Sequence, residues 1–214
     1  MKKIYIIIIL IVVLIIGYNV YKAELHTEGK EYLLRKYPEN TFEMGSLNLR
    51  YAWLGTLDFF TVIDVYCEDN NVEFDLVFNK GNISDGFIDS LNEKKKDELV
   101  HFVKLLIKEE EWFKDININI IPQVSDDIYK EDNVKSEEVY YSMSVIFSDI
   151  KTDINFAEES HAIINTLRQK KIKVSSILLY YGNKDGEYEL ELTSDDLYLS
   201  KNDILRRIKR KKHI

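Results

Sequence analysis

The chain has 214 residues, 29 Lys and Arg against 37 Asp and Glu for a net charge of −8, and a single cysteine, Cys67. The acidic balance argues against a nucleic-acid partner, and one thiol excludes both a disulfide framework and a thiolate zinc site. The fold must come from burial alone, for which 14 Tyr and 10 Phe supply large apolar areas.

The first element is the most hydrophobic. Ile4 to Ile16 is Ile, Leu and Val except for Tyr5, with Lys2 and Lys3 before it and Tyr18 and Tyr21 after it. A helix apolar on every face at a chain end reads as a membrane segment. Its branched aliphatics, at about −0.5 kcal/mol each, favour insertion by roughly 6 kcal/mol and absorb Asn19 near the interface. A cleaved signal peptide is the rival, but Gly17-Tyr18-Asn19-Val20-Tyr21-Lys22-Ala23 puts bulky residues where a peptidase needs small ones. The expectation is an uncleaved anchor over residues 1–22. Its amino terminus stays in the cytoplasm and the rest lies outside, since a long trailing domain crosses largely regardless of its charge.

Glu24 to Tyr37 reads as helix, with Leu25, Glu28, Tyr32 and Lys36 at helical spacing and Pro38 as the stop. Strands are expected at Phe42–Tyr51, interrupted by Gly45, at Asp58–Glu68 and at Val72–Phe78, the last two joined by an Asp69-Asn70-Asn71 turn. Residues 80–86 read as a loop in which Ser84 or Asp85 can cap the following helix. That helix covers Phe87 to Phe113, with a break plausible at Lys94-Lys95-Lys96. Ile116, Ile118 and Ile120 alternate as a strand, and the acidic, polar stretch 123–138 is the best linker candidate. Beyond it come a strand from Val139 to Phe147 and a helix from a capping-box-like Asn155-x-x-Glu158 to Lys170. A hairpin of Val174–Tyr181 and Glu187–Thr193 and a final basic helix capped by Ser200 and Asp203 complete the chain.

Several residue groups invite a chemical reading. Glu98-x-x-His101 and Glu158-x-x-His161 are each half of a carboxylate-bridged di-iron pattern, but that site needs a four-helix bundle and this chain alternates helix and strand. Solvated helix-face pairs are the expectation, so Glu98, His101, Glu158 and His161 are only weak metal candidates. Cys67 inside a strand lacks the cationic neighbour and His a nucleophile needs. Asp85-Gly86 and Asp185-Gly186 lack the alternate oxygen ligands of calcium loops and read as turns. No phosphate-binding loop and no Gly-x-Ser-x-Gly occurs, so neither a catalytic residue nor a cofactor is assigned. Only the tail names a partner: Arg206, Arg207, Lys209, Arg210, Lys211 and Lys212 could neutralise anionic lipid or wall polymer, or simply complement a helix C-terminus.

The lysine-flanked anchor, Tyr32-Leu33-Leu34-Arg35-Lys36-Tyr37-Pro38 at a helix end, the aromatic meander and Tyr140-Tyr141-Ser142-Met143-Ser144-Val145 before the Glu158-Glu159 helix form a layout. It resembles the YfjL-like envelope proteins of low-GC Gram-positive bacteria, and more distantly cystatin-like and PepSY-like modules. The YfjL-like resemblance implies an envelope location and no particular activity; the more distant one implies modules that bind or restrain partners.

The expected fold is α+β: a transmembrane helix, then two small antiparallel-sheet-plus-helix units at 23–122 and 139–214, separated by the 123–138 linker. The expected function is a non-catalytic interaction module tethered at the cell envelope, with an unidentified protein partner. A hydrolase or metal-dependent enzyme with an unrecognised site is the alternative.

Overall fold

The computed structural model describes residues 2–53, 57–131, 134–148, 152–183 and 186–211. The fold is α+β: a long apolar N-terminal helix, then a four-stranded antiparallel sheet and a five-stranded mixed sheet, each with helices. Two compact units divide the chain, Met1–Leu91 and Asn92–Ile214.

Helix α1 runs without a break from Lys2 to Lys36. Every side chain from Ile4 to Tyr21 is exposed, as expected of a span that needs lipid rather than protein around it. Asn19 donates to the Ile15 carbonyl of its own helix at 2.8 Å, which satisfies the amide without a partner outside the helix. After Lys22 the helix becomes amphipathic, and Leu25, Gly29 and Leu33 form the buried stripe. The stripe therefore passes through Gly29 rather than Glu28. A Cβ at Gly29 would lie 2.6 Å from Leu76 Cδ2, so the missing side chain is what lets helix and sheet approach this closely.

The first sheet runs β1 (Phe42–Trp53), β2 (Leu57–Cys67), β3 (Val72–Asn79), β4 (Asn82–Asp85), all antiparallel neighbours in chain order. Gly45 does not end β1. The strand shifts register between Met44 and Leu47, and a Cβ at Gly45 would meet the Asp64 carbonyl oxygen at 2.9 Å. Strand β4 occupies part of the expected loop: Lys80 (φ 49°) and Gly81 (φ 82°) turn the chain in two left-handed residues, and Asn79 pairs with Asn82. Leu25, Leu33, Phe42, Ile63, Val65, Cys67, Phe74, Leu76 and Phe87 form the core, so Cys67 is a fully buried core residue.

Helix α2 (Phe87–Ile107) is continuous through Lys94–Lys96. It contributes Phe87 to the first core, and its later residues Leu99, Val103 and Ile107 belong to the second. The second sheet is ordered β5 (Ile116–Gln123), β6 (Tyr140–Phe147), β7 (Val174–Asn183), β8 (Gly186–Thr193), β9 (Lys209–Lys211). Helix α3 (Asp153–Gln169) joins β6 and β7, which are parallel; the other pairs are antiparallel. Its N-cap is Thr152, whose hydroxyl accepts the Asn155 N–H at 3.1 Å, so the helix starts ahead of the expected Asn155. Phe156, Ile163, Ile164 and Leu167 on α3 pack with Val145, Ile177, Leu179, Leu190 and Leu192 on the sheet.

The 123–138 segment, expected to separate the units, instead connects β5 and β6, neighbours in one sheet. Its described part is held down. The Asn92 side chain donates to the Asp126 carbonyl at 2.6 Å and accepts the Tyr129 N–H at 3.1 Å, and Ile128 is fully buried. Its composition is that of a linker, but one apolar residue and one buried amide dock it.

The C-terminus departs from the expected final helix. Helix α4 (Lys201–Arg207) does begin with the Ser200–Asp203 capping box, but the chain then extends, and β9 adds a fifth strand to the sheet.

Candidate functional site

Within the first unit, charged and phenolic groups converge on Asp85. Three donors come from the end of α1 and the residue just after it. Tyr32 and Tyr37 hydroxyls donate at 2.8 and 2.9 Å, and the Lys36 ammonium lies at 2.8 Å. The fourth is the Phe87 N–H at 3.2 Å, so Asp85 also serves the start of α2 as the sequence suggested. The Asp85 side chain is fully buried while that of Lys36 is about half exposed. Burial alone would raise the Asp85 pKa. The hydrogen bonds from Lys36, Tyr32 and Tyr37 and the lysine charge outweigh it and hold the carboxyl below its usual range. The Tyr37 phenol is pushed up to about 12, first by burial and then by the carboxylate beside it. Tyr37 also closes an aromatic cluster, its ring 4.8 Å from Phe87 and 6.2 Å from Phe42.

Chemically this arrangement is saturated. Each carboxylate oxygen accepts two donors, and the carboxyl is held ionised beside Lys36 and Tyr37, which are themselves held protonated. A general acid or base needs a proton that can leave or arrive within reach of a substrate, and Asp85 presents no exposed face for one. Its physical role is to clamp the end of α1 to the sheet. Sequence reading found only the capping role, because the donors lie about fifty residues upstream and nothing local points to them.

The weak metal candidates are dispersed in their bonding. Glu98 and His101 are exposed on α2. On α3, Glu158 pairs with Lys201 at 2.9 Å, and Asn165 approaches His161 Nδ1 at 3.1 Å. Among the described residues no group of three or more His, Cys, Asp or Glu side chains could hold a metal ion. A shallow cleft of about 540 Å³ lies along the first sheet beside the β1 irregularity, lined by Glu43, Ser46, Asp64, Tyr66 and Glu73 among others. Its Asp64 carboxylate already accepts Ser46 at 2.5 Å and Asn48 at 3.0 Å.

The tail cations have partners within the chain. Arg207 meets Asp196 at 2.6 Å and Arg206 meets Asp203 at 3.9 Å. Lys209 lies 3.4 Å from Glu189 and 3.3 Å from Glu191, Lys211 lies 3.5 Å from Glu189, and Arg210 pairs with Asp153. Lys212 and His213 lie outside the described residues, as does Asp185 of the expected turn. The glutamates that alternate along β8 are what the basic strand sits against, which explains why three consecutive cations can form an edge strand at all.

The chain matches no family model, no curated protein and no solved structure.

Proposed function

We propose that this protein is a single-pass membrane protein whose two α+β units stand outside the cytoplasm as a non-catalytic interaction module, in the manner of the YfjL-like envelope proteins it resembles. The observation that carries the reading is the division of labour within α1. One uninterrupted helix is exposed and apolar from Ile4 to Tyr21, and its last turns supply Leu25 and Leu33 to the first core. The same helix thus serves bilayer and domain. The absence of a small-residue cleavage pattern supports retention, and the Lys2-Lys3 start supports an inside amino terminus. The saturated Asp85 cluster and the separately bonded Glu158 and His161 support a module that binds rather than reacts.

Alkaline carbonate extraction of membranes, combined with reporters fused after His213, tests this. The expected result is retention in the pellet with the extracytoplasmic reporter active. A cytoplasmic reporter signal reverses the orientation, and a soluble product starting near Ala23 removes the anchor.

A further inference from the structure

We infer that the outer edge of β5 is a self-association site, at which a second copy of this chain adds its own β5 antiparallel and joins two five-stranded sheets into one. The inference concerns the second unit alone and stands whether or not α1 spans a bilayer.

Strand β5 ends its sheet, and among the described strands only β6 lies beside it. Which of its backbone groups point away from β6 follows from Tyr141. That residue sends its N–H to the Lys173 carbonyl, on the β7 side, at 3.0 Å. The N–H and C=O of one strand residue point to the same side, so Tyr141 offers no backbone bond to Pro122, its partner on β5. Pro122 therefore faces outward, where a missing N–H breaks no bond of the sheet. By alternation Ile116, Ile118 and Ile120 also point their N–H and C=O outward, while Asn117, Asn119 and Ile121 bond β6. Among the described residues nothing hydrogen-bonds to the outward groups of these isoleucines.

Sheet edges are guarded against pairing by charge, by bulges or by shortness. Both edges of the first sheet and the far edge of the second follow that rule. Strand β1 carries Glu43, Arg50 and the register shift after Met44, β4 is four residues long and ends in Asp85, and β9 is Lys209-Arg210-Lys211. Strand β5 is eight residues without a charge. Its Ile116, Ile118 and Ile120 face the core, and Asn117, Asn119 and Ile121 are exposed on the open side. A strand added there must be uncharged and must alternate in the same phase, and β5 itself meets both conditions. With a two-fold axis at Ile118, that residue pairs with Ile118 of the second copy, Ile116 with its Ile120 and Asn117 with its Asn119. Every outward N–H and C=O of the isoleucines is then bonded. Pro122 selects this register. Moving the axis to Asn119 sets Ile116 against Pro122 of the second copy and leaves the Ile116 carbonyl without a donor. Asn117 and Asn119 meet in a non-hydrogen-bonded pair, where side chains lie closest, and each amide can both donate and accept. A second copy is the occupant this strand selects, because like meets like on both faces and no charge repels it.

The test uses the full chain in detergent micelles. The expected result is a dimer by equilibrium sedimentation, with slow amide exchange at Ile118. The double variant N117K/N119K, altered only at exposed positions, sets lysines opposite one another across the axis. It should be monomeric with circular dichroism unchanged, and its Ile118 amide should exchange about tenfold faster. Cysteines report the register. N117C/N119C should form a disulfide-linked dimer under mild oxidation, whereas N117C or N119C alone should not, because each position lies opposite the other in the second copy. Cys67 is buried, so the wild-type chain is the control that stays unlinked. A monomeric wild type would overturn the inference. A dimer that N117K/N119K leaves intact and N117C/N119C does not lock would also overturn it, in favour of association through α1 or another surface. A disulfide formed by N119C alone would move the axis to Asn119 and overturn the register.

Discussion

Replacing Asp85 by Asn removes a charge from the clamp at the end of α1 while keeping its shape. Three neutral donors, from Tyr32, Tyr37 and Phe87, bond the carboxylate. Asparagine keeps a single accepting oxygen, so the donors on the other side lose their acceptor and those that remain bond a neutral one; at about 1 kcal/mol or more for each of the three, D85N should cost at least about 3 kcal/mol. Lys36 adds little, because a half-exposed ammonium turns to water when its partner is neutralised, and K36M should cost about 0.5 kcal/mol. The asymmetry is the signature: the acceptor matters and the cation does not. Native-state hydrogen exchange of the Leu76 and Val77 amides, read in micelles, measures opening of this unit without assuming that both units unfold together. The pH dependence has a definite sign. Asp85 has a folded pKa below its ordinary 3.8, so its stabilisation is complete above that value and is lost as pH falls through the folded pKa. Protection at Leu76 should fall with acid in wild type and stay flatter in D85N. If D85N matched wild type, or K36M cost as much as D85N, the clamp would not work as described.

Gly29→Val should destabilise the first unit by about 2 kcal/mol through overpacking against Leu76, Met44 and Phe78, and thermal unfolding in detergent would show it; an unchanged midpoint contradicts the close approach. Leu33→Ala, at a fully buried position of α1, should cost about 3 kcal/mol in the same assay. Because the Tyr37 phenol has a folded pKa near 12 against 10 unfolded, stability should decline across that window as pH rises, and Y37F should remove part of the decline. Neutralising the tail's partners with E189Q/E191Q should increase binding of the chain to anionic vesicles, reversibly by salt. No change would mean the tail cations do not contact lipid.

What was legible in the sequence was whatever depends on near neighbours. Val72, Phe74, Leu76 and Phe78 alternate cleanly because one face of β3 is covered, and the Ser200–Asp203 box marks a helix start through bonds made within four residues. The elements that were missed depend on distant partners. Strand β4 needs a left-handed Lys80, a residue with no special turn preference. Strand β9 exists because Glu187 and Glu189 wait across the sheet, and no pattern within Lys209–Lys211 suggests a strand. The assignment of β5 to the second sheet is likewise a pairing choice: its alternation says that one face is covered, not by which sheet. The Asp85 cluster joins two ends of a unit through an aspartate that, read locally, only caps a helix.

The unbroken course of α1 gives the first unit a mechanical property. With 35 residues at ~1.5 Å each, the helix is a rod of roughly 52 Å with no Pro or loop between the exposed apolar stretch and the end clamped by Asp85. A spanning helix answers a change in bilayer thickness by tilting. From a pivot near mid-span, a tilt of about 10° displaces Lys36 sideways by roughly 6 Å on the ~35 Å arm of helix beyond it. A hinged tether would dissipate that motion in its linker. On the proposed spanning role of α1, the sheet packed along the rod swings with it, and the thickness of the membrane is converted into a lateral position of the first unit.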